Sequence, residues 1–151
     1  MNTLTTILLA EDDAQDVELT LEALSEHHLA NQVVVARDGA EALDYLYSRG
    51  NFKNRPPGNP AVILLDIKMP KIDGLEVLKK VKSDEKLKMI PVVMLTSSRE
   101  ERDLMESYQS GVNAYVVKPV NFQEFVRAAK QLGIFWAILN EPPPGSAKPA
   151  K

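Results

Sequence analysis

Short apolar runs alternate along the chain with longer segments in which apolar residues recur at helical spacing. The runs fall at residues 6–10, 32–36, 61–65, 90–95 and 114–117. The third run, which contains Val62, Ile63 and Leu64, is typical of a strand buried on both faces. Five such strands alternating with five helices predict a doubly wound α/β fold, in which helices cover both faces of a parallel sheet.

Polar residues stand where the predicted strands end. Glu11 and Asp12 follow the first run, Asp66 the third, Thr96 the fourth and Lys118 the fifth. In such a sheet the carboxyl ends of the strands meet at one edge, and ligands usually bind there. Each feature alone has a structural explanation, since Asp66 could cap a loop and the first two acids could favour a helix N-terminus. Their coincidence at one edge favours a functional site.

The composition excludes several classes of function. Hydrophobic residues make up 44% and charged residues 26% of the 151 residues, as in an ordinary globular domain. The net charge of −3 offers no basic excess for nucleic-acid binding, and no apolar stretch is long enough to cross a membrane. Because cysteine is absent, disulfides, thiolate catalysis and Cys-based metal sites are excluded. With no secretory signal at the N-terminus, the sequence predicts a cytoplasmic protein.

The cluster of acids needs a positive partner. Two carboxylates ~4 Å apart repel each other by about 4 kcal/mol at an effective dielectric constant near 20. Ligands that offer only oxygen favour Mg²⁺, Mn²⁺ or Ca²⁺, and Mg²⁺ suits a site of few carboxylates and a phosphate. Lys118 can reach a carboxylate or a phosphoryl oxygen, and Thr96 offers a hydroxyl. This set can stabilise phosphoryl transfer to a carboxylate, and Asp66, on the central strand, is the natural acceptor.

These residues carry a family resemblance. Over residues 5–132 the sequence resembles the receiver domain of two-component response regulators. The family's acidic pair matches Glu11 and Asp12, its phosphoacceptor matches Asp66 in Asp-Ile-Lys-Met-Pro, and its switch hydroxyl matches Thr96. Its Lys-Pro pair matches residues 118–119. The separations agree as well, with 30 residues from Asp66 to Thr96 and 22 from Thr96 to the lysine.

The resemblance implies a strand order of 2-1-3-4-5 and a metal site. Asp12 and Asp66 are expected to coordinate Mg²⁺ directly together with the backbone carbonyl of Lys68, and Glu11 is expected to act through a bound water. Mn²⁺ or Ca²⁺ is expected to substitute for Mg²⁺.

The resemblance also implies how the phosphoryl group is held. Thr96 and Lys118 are expected to bind its oxygens. Tyr115 matches the aromatic switch position, which turns inward when Thr96 is drawn towards the phosphate. The bond that joins Lys118 to Pro119 is expected to be cis.

Two further features are similar to the single-domain regulators associated with bacterial phytochromes. A long loop at residues 49–60 extends the segment between Asp12 and Asp66 to 54 residues. The final helix continues through an apolar run at 134–139, ahead of a Pro-rich tail at 141–151 that we expect to be disordered. We therefore predict one receiver domain over residues 1–140.

The apolar run is too continuous for a helix with a single buried stripe. It either packs on its own domain or marks an interface. We predict a homodimer through the fourth helix, fifth strand and fifth helix, with Phe135, Trp136 and Leu139 as contacts.

The predicted function is to accept phosphate from a sensor histidine kinase onto Asp66 and then to switch protein contacts. The closer resemblance implies a bacteriophytochrome as the kinase. The chain would catalyse only its own phosphorylation and slow dephosphorylation. A phosphatase of the haloacid dehalogenase kind would need an acid two residues after the nucleophile, where Lys68 stands. A pseudo-receiver that interacts or dimerises without phosphorylation stays an alternative.

Overall fold

The sheet has the predicted architecture. A computed structural model describes residues 6–25, 33–98, 101 and 114–133. Its five strands are all parallel and lie in the order β2-β1-β3-β4-β5, which confirms the predicted order 2-1-3-4-5. The strands are β1 (Ile7–Ala10), β2 (Val33–Ala36), β3 (Val62–Asp66), β4 (Val92–Thr96) and β5 (Ala114–Val117).

The described residues form four α-helices and one short 3-10 helix. They are α1 (Ala14–Ser25), α2 (Gly39–Leu46), the 3-10 helix Gly50–Phe52, α3 (Gly74–Ser83) and α4 (Phe122–Gln131). The helix predicted after β4 lies outside the described residues except for Glu101, which is helical. The predicted extension of the last helix, and the tail after it, also lie outside them. Within the described part, no helix is long and apolar enough to cross a bilayer.

Several predicted strand boundaries were wrong, by one or two residues, at the start of β1 and at both ends of β3 and β4. β4 begins at Val92 rather than at Ile90 because Pro91 has no N–H to donate to the neighbouring strand. The carbonyl of Pro91 accepts a hydrogen bond from the N–H of Ile63 at 3.0 Å. β3 includes Asp66, which pairs in register with Leu95 of β4. The phosphoacceptor candidate is therefore the last residue of a hydrogen-bonded strand and not a loop residue.

Alternating side chains of the strands fill two separate cores. Leu8, Ile63 and Met94 point to the face covered by α2 and α3. Ile7, Leu64 and their neighbours pack on the opposite face against α1 and α4. The central strand β3 is fully buried along its length, as its branched composition predicts. Helices thus cover both faces of the sheet, which leaves the edge formed by the carboxyl ends of the strands for a ligand site.

The segment at residues 49–60 is packed onto the domain. The ring of Phe52, in the 3-10 helix, meets Tyr45 of α2 edge-on at 5.2 Å between ring centroids. Arg55 lies 4.2 Å from the centroid of the Tyr45 ring and donates to the Tyr45 carbonyl at 2.6 Å. Asn59 donates to the carbonyl of Lys86 at 3.0 Å. These contacts join the segment to α2 and to the turn after α3.

The turn after β3 brings the start of α3 against the end of the strand. Gly74 donates its N–H to the carbonyl of Ile67 at 2.8 Å. A Cβ at position 74 would collide with the carbonyl oxygen of Asp66. Glycine is therefore required for this close approach, and the approach fixes the backbone that carries the candidate phosphoacceptor.

We expect Gly74→Ala to lower the free energy of unfolding by about 2 kcal/mol, as overpacking does. We expect this loss even though alanine favours a helix over glycine by about 1 kcal/mol. Urea denaturation measures it, with Lys79→Ala on the exposed side of α3 as the control. Equal stability of the two variants would show that the turn relaxes without cost.

Candidate functional site

The site lies at the edge where the parallel strands end. β1 leads directly into Glu11 and Asp12, β3 ends at Asp66, β4 ends at Thr96, and β5 leads into Lys118. These four strands lie side by side in the order β1-β3-β4-β5, so their carboxyl ends bring the five side chains to one crevice.

Three carboxylates meet there. Glu11, Asp12 and Asp66 each offer an oxygen, and these oxygens lie within 4.8 Å of one another. Glu11 is 1% and Asp66 5% exposed, whereas Asp12 is open to solvent. Three oxygen donors without nitrogen or sulfur suit a hard divalent cation. Two of them are already desolvated, so a cation would relieve their repulsion.

Lys118 is the positive group of the cluster. Its Nζ lies 2.9 Å from Glu11 Oε1, 3.1 Å from Asp66 Oδ1 and 3.1 Å from Asp16 Oδ2. The ammonium donates hydrogen bonds to Glu11 and Asp16 and forms an ion pair with Asp66. The next peptide bond, to Pro119, is cis.

The electrostatics of the cluster act on two groups in particular. Burial, then the charge of Glu11, raise the pKa of Asp66 to about 7, and Lys118 opposes this only in part. Burial lowers the pKa of Lys118, but its hydrogen bond to Glu11 and the charge of Asp66 outweigh that effect and hold the pKa above its ordinary value. Near neutral pH, Asp66 is therefore poised between its protonated and ionised forms, while the lysine stays charged.

Thr96 and Tyr115 lie on neighbouring strands. Thr96 is fully buried, and its hydroxyl is directed at the carbonyl of Val116 at 3.5 Å, the upper limit for a hydrogen bond. Tyr115 is half-buried and packs against the core on the α2 and α3 face. Its backbone carbonyl accepts from Arg127 at 3.0 Å.

The metal-site prediction for Lys68 concerns its backbone carbonyl, in the loop that leaves β3. Its side chain is 82% exposed and reaches Glu101 at 3.8 Å between Nζ and Oε2. The predicted dimer contacts Phe135, Trp136 and Leu139 lie outside the described residues.

Two acids near the site were missed by the sequence reasoning. Asp16 of α1 stands four residues after Asp12, a spacing that places it one helical turn along, towards the same edge. Glu101 stands three residues after Ser98, which is the spacing of a capping box. Both signals were present, but neither indicates the long-range contact that each residue makes.

Comparison with known proteins identifies relatives of this chain. The family profile of the response regulator receiver domain matches residues 7–130. The response regulator Rcp1 of Synechocystis sp. is 38% identical over 130 residues, which cover 86% of this chain and 87% of Rcp1.

Solved structures agree with this match. The bacteriophytochrome response regulator AtBRR is 63% identical with a TM-score of 0.85, over 93% of this chain and 100% of that one. The phosphorylated cyanobacterial phytochrome response regulator RcpA is 39% identical with a TM-score of 0.70, over 93% and 99% of the two chains. The Mn²⁺-bound form of Rcp1 is 36% identical with a TM-score of 0.68, over 97% and 99%.

Proposed function

The chain belongs to the response regulator receiver domain family, and from this membership we propose that it accepts a phosphoryl group on Asp66 from a sensor histidine kinase. One observation carries the proposal: Asp66 is a buried carboxylate at the end of the central strand, with the Lys118 ammonium 3.1 Å from its Oδ1 and two further acids beside it. A buried, electrostatically strained carboxylate beside a fixed cation is a functional-site arrangement.

The transfer conserves atoms and charge. A carboxylate oxygen of Asp66 attacks phosphorus, the bond from phosphorus to the donor histidine nitrogen breaks, and an acyl phosphate forms. Water later attacks this acyl phosphate and restores the carboxylate with release of inorganic phosphate. The Lys118 ammonium can offset charge on the phosphoryl oxygens, and the Thr96 hydroxyl can donate to one of them after turning from Val116.

The donor set fits Mg²⁺. Glu11, Asp12 and Asp66 provide oxygen ligands in a crevice where Lys118 is a counter-charge. The Mn²⁺-bound Rcp1 structure supports a divalent cation in this kind of site. The cation supplies positive charge that neutralises the acids and the incoming phosphoryl oxygens. We propose that Asp12, Asp66 and the Lys68 carbonyl hold it, with Glu11 acting through water.

Intact-mass spectrometry after incubation with acetyl phosphate tests the proposal. We expect the mass of one phosphoryl group to be gained with Mg²⁺ and not with a chelator. Hydroxylamine should remove the group, because it cleaves acyl phosphates and leaves serine and threonine phosphates intact. No adduct in the presence of Mg²⁺, together with no binding of beryllofluoride, would favour the phosphorylation-independent interaction module.

We expect the affinity for Mn²⁺ and Mg²⁺ to fall about tenfold from about pH 8 to about pH 6, because the cation binds the ionised form of a carboxyl whose pKa is raised to about 7. Calorimetric titration at constant ionic strength measures the affinity. In Asp66→Asn the remaining affinity should be nearly independent of pH over this range. A native affinity that stays constant would show that Asp66 is already ionised in the free protein.

We propose a phytochrome as the donor kinase. The relatives AtBRR and RcpA are described as response regulators of a bacteriophytochrome and a cyanobacterial phytochrome, respectively. Transfer of labelled phosphate from an autophosphorylated bacteriophytochrome kinase to this chain, and its absence from an unrelated histidine kinase, would support that donor. Equal labelling by both kinases would contradict it.

We also propose a homodimer in which β5 and its flanking helices meet in two copies. β5 ends the strand order, so one side of it has no partner strand among the described residues, and Val117 on it is 38% exposed. The contacts of Phe135, Trp136 and Leu139 remain predictions. A sizing column run with phosphorylated and untreated samples tests the dimer, and a monomer in both would contradict it.

A further inference from the structure

A buried carboxylate outside the acid cluster holds the chain that follows β4. Glu101 is 6% exposed, and its Oε1 accepts from the N–H of Ser97 at 2.7 Å and from the Ser97 hydroxyl at 3.1 Å. Its other oxygen lies 3.8 Å from the Nζ of Lys68, whose side chain is 82% exposed. An ion pair this long and this exposed contributes little. The two donors of Ser97 are therefore the principal partners of the carboxylate.

Helix capping explains only part of this arrangement. Ser98 caps the helical turn in the usual way, since its hydroxyl accepts from the N–H of Glu101 at 3.1 Å. In a capping box the glutamate would reach back to the N–H of the capping serine itself. Here the Glu101 carboxylate instead bonds one residue earlier, on both donors of Ser97. The Glu101 carboxylate thus accepts two hydrogen bonds from the residue that follows Thr96.

The position of Ser97 connects this contact with the proposed phosphoacceptor site. Thr96 ends β4, and its hydroxyl is directed at Val116 on β5, whereas Asp66 lies on β3, on the other side of β4. To reach a phosphoryl group on Asp66, the Thr96 hydroxyl has to turn away from β5. A chain held at the next residue would resist any backbone shift that this turn requires.

We infer that Glu101 is a positioning residue that holds Ser97, and with it Thr96, in the conformation of the unphosphorylated chain. The inference rests on the proposed phosphorylation of Asp66 and adds a regulatory contact to it. The two bonds to Ser97 must be weakened before Thr96 can engage the phosphoryl oxygens. Glu101 therefore sets how readily the phosphorylated conformation is reached.

Four chains test this: native, Glu101→Ala, Glu101→Gln and Ser98→Ala. The rate of phosphorylation by acetyl phosphate with Mg²⁺ is followed by intact mass, and the affinity for beryllofluoride with Mg²⁺ by calorimetry. We expect Glu101→Ala to raise both about tenfold, the factor that corresponds to losing one hydrogen bond to a charged group. Glu101→Gln keeps an acceptor oxygen for Ser97 but not the charge, so its values should lie between those of the native chain and Glu101→Ala.

Ser98→Ala separates positioning from capping. It removes the cap on the N–H of Glu101 and leaves the bonds between Glu101 and Ser97 in place. We expect a lower melting temperature with an unchanged phosphorylation rate and beryllofluoride affinity. If Ser98→Ala changes both values as much as Glu101→Ala does, Glu101 is a capping residue only.

The remaining outcomes are equally decisive. If both Glu101 variants match the native chain, the Thr96 side chain turns without a shift of Ser97 and the inference is wrong. Slower phosphorylation in both would reverse its direction. Failure of the native chain to take up phosphate would instead overturn the proposed function, so the two failures are distinguishable. Glu101→Gln retains the size of the side chain and keeps the test valid if Glu101→Ala does not fold.

Discussion

Replacing Asp66 by asparagine is expected to abolish the gain of a phosphoryl group from acetyl phosphate while the fold is kept. Asparagine has nearly the same shape, but its amide has no anionic oxygen to attack phosphorus. Intact-mass spectrometry should show no Mg²⁺-dependent adduct on this variant. Asp44→Asn is the matched control because it removes a carboxylate that pairs with Arg49 at the surface, and it should be labelled like the native chain.

Stability measurements on the same variant separate loss of the nucleophile from loss of structure. The pKa of Asp66 is raised from 3.8 to about 7, first by burial and then by the charge of Glu11. Between these values the folded chain holds a proton that the unfolded chain lacks. The stabilising contribution is therefore complete below the unfolded pKa and is lost as the pH rises through the folded pKa.

Asparagine does not ionise, so the Asp66→Asn variant escapes that loss. At a pH of about 8, above the folded pKa, we expect it to melt at a higher temperature than the native chain without metal. A phosphoryl adduct on the Asp66→Asn variant would show that another residue is the phosphoacceptor. A lower melting temperature would contradict the electrostatic account of the cluster.

The sequence was sufficient for the framework of the fold because that framework follows local patterns. Branched apolar runs such as residues 61–65 have few alternatives to a buried strand, and the strand ends then place polar residues at one edge. The order of the strands came from the family resemblance and not from the pattern. The start of β4 was placed too early because apolar periodicity does not register the missing N–H of Pro91.

Contacts between distant parts of the chain could not be predicted in the same way. Lys118 was expected to reach a carboxylate, but its contact with Asp16, across 102 residues, depends on how α1 packs on the face of the sheet. Arg55 lies over the Tyr45 ring because the segment at 49–60 folds back on α2. No local spacing encodes either contact. The same is true of the ion pair between Glu101 and Lys68, although the cap spacing of Glu101 is visible in the sequence.

Removing the charge of Lys118 is expected to have the largest effect on stability. Lys118→Met keeps a long side chain but leaves Glu11, Asp16 and Asp66 without the ammonium that lies within 3.1 Å of each. Breaking a buried charge pair by removing one partner costs about 3 kcal/mol or more, since the other charges stay desolvated. Urea denaturation without metal should show a loss of this size at a pH of about 8, above the raised pKa of Asp66.

A matched control and a metal titration make this prediction specific. Lys88→Met removes a lysine whose pair with Glu85 is exposed, and it should change the free energy of unfolding by less than about 0.5 kcal/mol. Added Mg²⁺ should stabilise Lys118→Met more than it stabilises the native chain, because the cation then replaces the missing ammonium charge at the acids. Equal losses in the two lysine variants would show that water, not Lys118, compensates the cluster. A larger loss in Lys118→Met would show that Lys118 compensates the repulsion among Glu11, Asp16 and Asp66. Selection for a reactive site explains why the fold keeps a cluster of acids that lowers its stability.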